Sequence, residues 1–173
     1  MVLLVGCGID NTVYIDSSFT SDEVTMIYMA VDEWNEATDS KEDQIDILGF
    51  KNISGEFSAD KWNNMNGIIF KVHSSEKGYE EIKTKEAPGD YVGKYNTAQN
   101  NIILVTDKLE TSTRFYGTIL HEFGHMLGLL EHGPGIMNDS WNVDDGACIH
   151  QTDIDRYCAE FECGKNAHNT CGT

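Results

Sequence analysis

The residues with the most chemistry to offer lie between Gly117 and Asn138, in the stretch GTILHEFGHMLGLLEHGPGIMN. His121 and His125 are four residues apart, so on a helix their imidazoles lie on one face, one turn above the other. That spacing lets both bind a single metal ion, and Glu122 beside them is placed to act as a base. Gly128 offers a break in the helix. Glu131 and His132 follow, and either can supply a third bond to the metal. Met137 comes next, in a tight Gly-Pro-Gly turn. Phe123, Met126, Leu127 and Leu130 fall at i, i+3, i+4 and i+7, a stripe that can bury the opposite face. Two histidines on a helix can also be ordinary core residues holding hydrogen bonds. The glycine, the further ligands and the turn that follow argue for a zinc site instead.

HEFGHMLGLLEH followed by GIM resembles the metzincin clan of zinc metallopeptidases, whose motif is His-Glu-x-x-His-x-x-Gly-x-x-His with a downstream Met-turn. The resemblance implies His121 and His125 as zinc ligands, Glu122 as general base and Met137 as the Met-turn residue. The motif's third ligand falls at position 131, which is Glu131, and His132 arrives one residue late. The snapalysin-like branch carries an acidic residue there followed by histidine, which gives Glu131 a precedent. Ligand chemistry favours His132, because histidine is the commoner partner of two other histidines and a loop can absorb one residue. Both stay candidates.

The implied function is a zinc-dependent endopeptidase with one catalytic Zn2+. Three protein ligands leave a fourth position for water, whose pKa zinc lowers toward roughly 7. Glu122 would take the proton as the water attacks a peptide carbonyl and deliver it to the leaving nitrogen. Met137 would place an apolar floor under the histidines. Two other readings remain open. A gluzincin-type peptidase would draw its third ligand from a glutamate well downstream, Glu160 or Glu162, which leaves Gly128 and the Met-turn unexplained. A non-catalytic secreted binding module would carry a structural zinc, a kind of site usually closed by four protein ligands.

The chain has 173 residues, enough for one domain with a real core and too few for two. The net charge of -17 argues against nucleic acid or an anionic membrane as partner and leaves a peptide or protein substrate. No run of eighteen apolar residues exists, so no transmembrane segment is expected. A monomer is expected. Cys148, Cys158, Cys163 and Cys171 crowd the C-terminal end without a Cys-x-x-Cys pair, which points to two disulfides of undetermined pairing rather than a second metal site. Disulfides point to an oxidising compartment. Leu4-Val5-Gly6-Cys7 resembles the lipobox of bacterial lipoproteins, although the apolar run before it is short and lacks Lys or Arg. The expected location is therefore extracellular or the cell envelope, secreted or lipid-anchored through Cys7, in a bacterium.

The elements that must position these residues read as an α+β chain. Thr12 to Asp16 alternates as a strand. Thr20 with Glu23 forms a capping box for a helix to about Ala37, with Val24, Ile27, Val31 and Trp34 on one face. Strands are expected at Ile45 to Phe50, with a bulge at Gly49, and at Gly67 to Val72, covered on both faces. Tyr91 to Tyr95 and Asn101 to Thr106 complete the set. Residues 51–66 and 74–90 read as loops. Asp107 and Glu110 suit the N-terminus of the zinc helix. Thr152 with Asp155 suggests a last helix from Asp153 to about Phe161.

The order is similar to a metzincin catalytic domain, which implies a twisted mixed five-stranded sheet, two packed helices, a Met-turn and a C-terminal helix. In that arrangement the strand near 91–95 is an antiparallel edge to which a substrate peptide can add. The expected organisation is a possible remnant of a lipoprotein signal or anchor over 1–10, then one domain over 11–173. Its upper part is 11–130, and its lower part, 131–173, ends in the disulfide-rich tail.

Overall fold

The alternation in TVYID becomes β1, Thr12–Asp16, in which Val13 and Ile15 are fully buried. The computed structural model describes residues 11–41, 43–85, 91–140 and 146–171; Cys7 and the rest of the possible anchor remnant over 1–10 fall outside them. Helix α1, Ser21–Thr38, starts at the capping box. The Glu23 N–H donates to Thr20 Oγ1 at 3.3 Å, and the Thr20 N–H donates to Glu23 Oε2 at 2.6 Å. Glu23 also pairs with Lys71 at 2.7 Å, which ties the start of α1 to the sheet. Ile27, Ala30, Val31 and Trp34 form the buried stripe.

Strand β2, Asp46–Lys51, pairs parallel with β1, and the register slips opposite Gly49, whose φ of +130° disfavours a side chain. Strand β3 is Ile68–Val72, β4 is Gly93–Asn96 and β5 is Asn101–Val105. The five strands form one mixed sheet in the order β2-β1-β3-β5-β4. Only β4 runs antiparallel, against β5, and it occupies one edge. The fold is α+β.

Both faces of the sheet are covered at β3 and β5. Val13, Ile15, Ile69, Ile102 and Leu104 pack with α1 and the helix that follows β5. Ile68, Phe70, Val72, Ile103 and Val105 form a second cluster with Phe57, Trp62, Tyr79 and Ile82. Those last residues correct the sequence reading. Residues 51–66 contain helix α2, Ala59–Asn64, started by Ser58, and 74–90 contain helix α3, Lys77–Lys85. Each is too short for a helical period to emerge from its few apolar residues. Burial of Trp62, Tyr79 and Ile82 holds them instead, and a fully buried side chain of this size contributes roughly 1.5–3 kcal/mol.

Helix α4, Ser112–Met126, follows β5 through a single 3-10 turn. Helix α5 is Gln151–Glu160, starting two residues earlier than expected. Its first turn is closed by Asp153, which accepts the His150 N–H at 3.0 Å, not by Thr152 and Asp155. Two disulfides hold this end, Cys148–Cys171 and Cys158–Cys163. The tail lies along the end of α1, where Gly164 and His168 donate to the Thr38 and Ala37 carbonyls at 3.0 and 2.9 Å. Among the described residues no helix is long and apolar enough to cross a membrane.

Candidate metal centre

Helix α4 starts at Thr111, whose Oγ1 accepts the Arg114 N–H at 3.1 Å. Asp107, expected near this terminus, instead accepts from Ser74 across the sheet. Trp34 Nε1 donates to the Leu120 carbonyl at 2.8 Å and fixes α4 against α1. The helix ends in a left-handed turn at Gly128, φ +101°. There Gly128 donates to His125 O and Leu129 to Gly124 O, both at 3.0 Å, the paired bonds of a Schellman motif. The turn redirects the chain before Leu130. Phe123, Met126 and Leu127 are buried as the stripe requires, but Leu130 is 58% exposed and does not belong to it.

His121, His125 and His132 converge. Each offers one ligand nitrogen, and the three lie within 4.8 Å of one another. Their ring centroids are 4.7 to 5.2 Å apart. Two of the rings are oriented by backbone. His121 Nδ1–H donates to the Ile136 carbonyl and His125 Nδ1–H to the Leu129 carbonyl, each at 2.8 Å. These bonds leave Nε2 of both rings with its lone pair free, the usual support for a metal-ligating histidine. Burial lowers the His121 pKa to about 4 and lowers that of His125 as well, so both rings are neutral at pH 7. Neutral imidazole is the form that binds metal.

Glu122 is 4% exposed, and its Oε2 is buried without a hydrogen-bond partner. Burial pushes its pKa up to about 8, against a smaller opposing effect of Lys94. Strand β4 passes directly over this carboxylate. A Cβ at Gly93 would stand 2.6 Å from Glu122 Oε1 and 2.5 Å from Thr118 Cγ2, so only glycine permits the approach. An orphaned carboxylate oxygen beside three imidazoles is a donor set that suits zinc and leaves a carboxylate over for a bound water.

Met137 lies in a 3-10 turn, Gly135–Met137, and is fully buried. A Cβ at Gly124 would stand 2.2 Å from its sulfur, so the small residue between the two helical histidines is what lets Met137 pack there. Sequence reasoning missed the group that holds this turn. Asp153 of α5 is fully buried and accepts the Ile136 N–H at 3.0 Å and the Met137 N–H at 3.4 Å. Gly135, φ +82°, leaves room for that carboxylate. Arg156, one turn further along α5, donates to the Glu131 carbonyl at 2.6 Å. Neither residue belongs to a motif. The nearest signal was an acid at the start of a short amphipathic segment, which reads as a cap.

Of the competing ligands, Glu131 is exposed, and neither it nor Glu160 or Glu162 joins the three histidines. A second group, Cys148, His150 and Cys171, has both thiols in one disulfide, so they are not free to bind metal. No protein-family model and no curated protein sequence matches the chain.

Proposed function

We propose that this chain is a zinc-dependent endopeptidase of the metzincin type, with His121, His125 and His132 as metal ligands and Glu122 as general base. The observation that carries the reading is one cluster: three converging imidazoles, two with Nδ1 tied to a carbonyl, beside a buried carboxylate with an unpartnered oxygen. Zinc held by these nitrogens would supply a Lewis acid and a bound water whose pKa falls to roughly 7.

The chain's own groups do the rest. The Ile136 and Leu129 carbonyls keep two rings in the tautomer that presents Nε2. Glu122 accepts the proton of the attacking water and passes it to the leaving nitrogen. Burial favours its neutral form in the metal-free protein, and a nearby dication favours the carboxylate needed for the first transfer. The outer strand β4 runs beside Glu122, so a substrate peptide can add at this edge of the sheet as one more strand and bring its carbonyl to the site. Two disulfides fit an oxidising compartment, and we place the protein outside the cytoplasm, secreted or lipid-anchored in a bacterial envelope.

The test is digestion of a peptide library by wild type and Glu122→Ala, read by mass spectrometry alongside zinc content. Cuts made only by the wild type, with zinc kept by both proteins, are the expected result. Equal cutting by the two proteins removes Glu122 as base. No cutting by either, with zinc bound, leaves a binding module.

A further inference from the structure

His132 is held differently from the other two histidines. It lies on an exposed loop beyond the Gly128 turn, and among the described residues no carbonyl is bonded to its ring. Its two chain neighbours are nevertheless fixed by one side chain. Arg156 Nη2 donates to the carbonyl of Glu131 at 2.6 Å. The same guanidinium fills the space beside Gly133, where a Cβ would stand 2.3 Å from Nη1 and 2.8 Å from Cζ. Gly133 in turn donates its N–H to the Met137 carbonyl at 3.0 Å, which joins the loop to the turn under the histidines.

We infer that Arg156 is a positioning residue that selects His132, rather than Glu131, as the third metal ligand. The inference rests on the zinc reading above. Glu131 lies in a bend with His132 next to it, and of the two only His132 stands with the histidine pair. Pinning the Glu131 carbonyl fixes the peptide plane between residues 131 and 132 and thereby the direction each side chain leaves the backbone. Contact with Gly133 fixes the other side of His132. Arginine suits both tasks because its planar fork can donate while its flat body packs. A lysine ammonium can reach the carbonyl but leaves the space beside Gly133 unfilled.

The experiment uses the full chain and Co2+, a visible stand-in for Zn2+. Wild type, Arg156→Ala and Arg156→Lys are compared, alone and combined with His132→Ala or Glu131→Ala. Affinity and the visible spectrum report the ligand set, and amide exchange at Gly133 reports the loop without metal. In the wild-type background His132→Ala should weaken binding and Glu131→Ala should not. Arg156→Ala should weaken Co2+ binding about tenfold to a hundredfold, alter the spectrum and speed Gly133 exchange. It should also shrink the further effect of His132→Ala, the non-additivity expected of coupled residues. Arg156→Lys should fall between, and it carries the test if Arg156→Ala does not fold.

Wild-type affinity, spectrum and Gly133 exchange in the Arg156 variants overturn this inference alone. So do effects of Arg156→Ala and His132→Ala that simply add. A wild type that takes up no Co2+ overturns the zinc reading and this inference with it.

Discussion

His121, Glu122 and His125 stand on α4, while His132 and Met137 stand on a loop, and the two halves of the centre are positioned by different means. On the helix, 3.6 residues per turn sets the spacing and the Gly128 turn supplies the carbonyl that orients His125. On the loop no repeating geometry acts. Asp153 and Arg156, both on α5, hold it through backbone atoms at residues 131, 136 and 137. One half of the site is therefore a local property of its own segment. The other is borrowed from a helix that carries no ligand, and it is exposed to anything that moves that helix.

The largest effect that would separate the halves is at Asp153. Asp153→Ala removes a fully buried carboxylate and orphans the N–H groups of Ile136, Met137 and His150. A loss of about 3–5 kcal/mol in chemical denaturation is expected, with exchange at 131–137 rising more than exchange in α4. Equal loosening of both would mean the halves are one unit.

Opening Cys148–Cys171, which spans 23 residues, by a double Cys→Ser change should cost about 3 kcal/mol and weaken metal binding through α5. Unchanged stability would show that hydrogen bonds alone hold this end. Gly124→Ala acts at the joint between the halves. Its methyl group meets the Met137 sulfur and, at 3.1 Å, Trp34 Cζ2, so about 1–3 kcal/mol should be lost together with metal affinity. A neutral result would mean that Met137 moves aside without consequence.

The last effect, the smallest per pH unit, is a pH dependence confined to the helical half. Glu122 has a folded pKa of about 8 against an ordinary value of 4.5, so in the metal-free protein it keeps a proton that the unfolded chain has lost. Its contribution to stability therefore falls as pH rises from 4.5 to about 8. His121, lowered from 6.5 to about 4, acts oppositely and only below 6.5, where stability falls as pH falls. Between pH 6.5 and 8 Glu122 acts alone among these two, with a slope of at most about 1.4 kcal/mol per pH unit. Thermal scans of metal-free wild type and Glu122→Gln check this: the slope should flatten in the variant.

The same contrast explains what could be read in advance. The capping box at Thr20, the bulge at Gly49, the apolar run of β5 and the pair His121 and His125 each follow from a short repeating geometry, and each stands where the residues place it. The choice between Glu131 and His132 had no such rule behind it, since a loop has no period. Arg156, which we infer favours His132, bonds the carbonyl of Glu131, 25 residues away from it in sequence. Helices α2 and α3 were missed for a related reason. Their stability comes from Trp62, Tyr79 and Ile82 filling the far face of the sheet, which local pattern does not announce. Disulfide pairing was likewise a matter of tertiary distance.

The spans of these contacts also bear on the order of assembly. His125 meets Leu129 across 4 residues, His121 meets Ile136 across 15 and Asp153 meets Ile136 across 17. By comparison, Trp34 reaches Leu120 across 86. Closing short loops costs less chain entropy and happens faster. Much of the geometry of the three-histidine cluster should thus arise within the C-terminal third of the chain before the sheet closes behind it. A metal ion present during refolding would then speed the recovery of α4 and α5 more than that of β1 and β2.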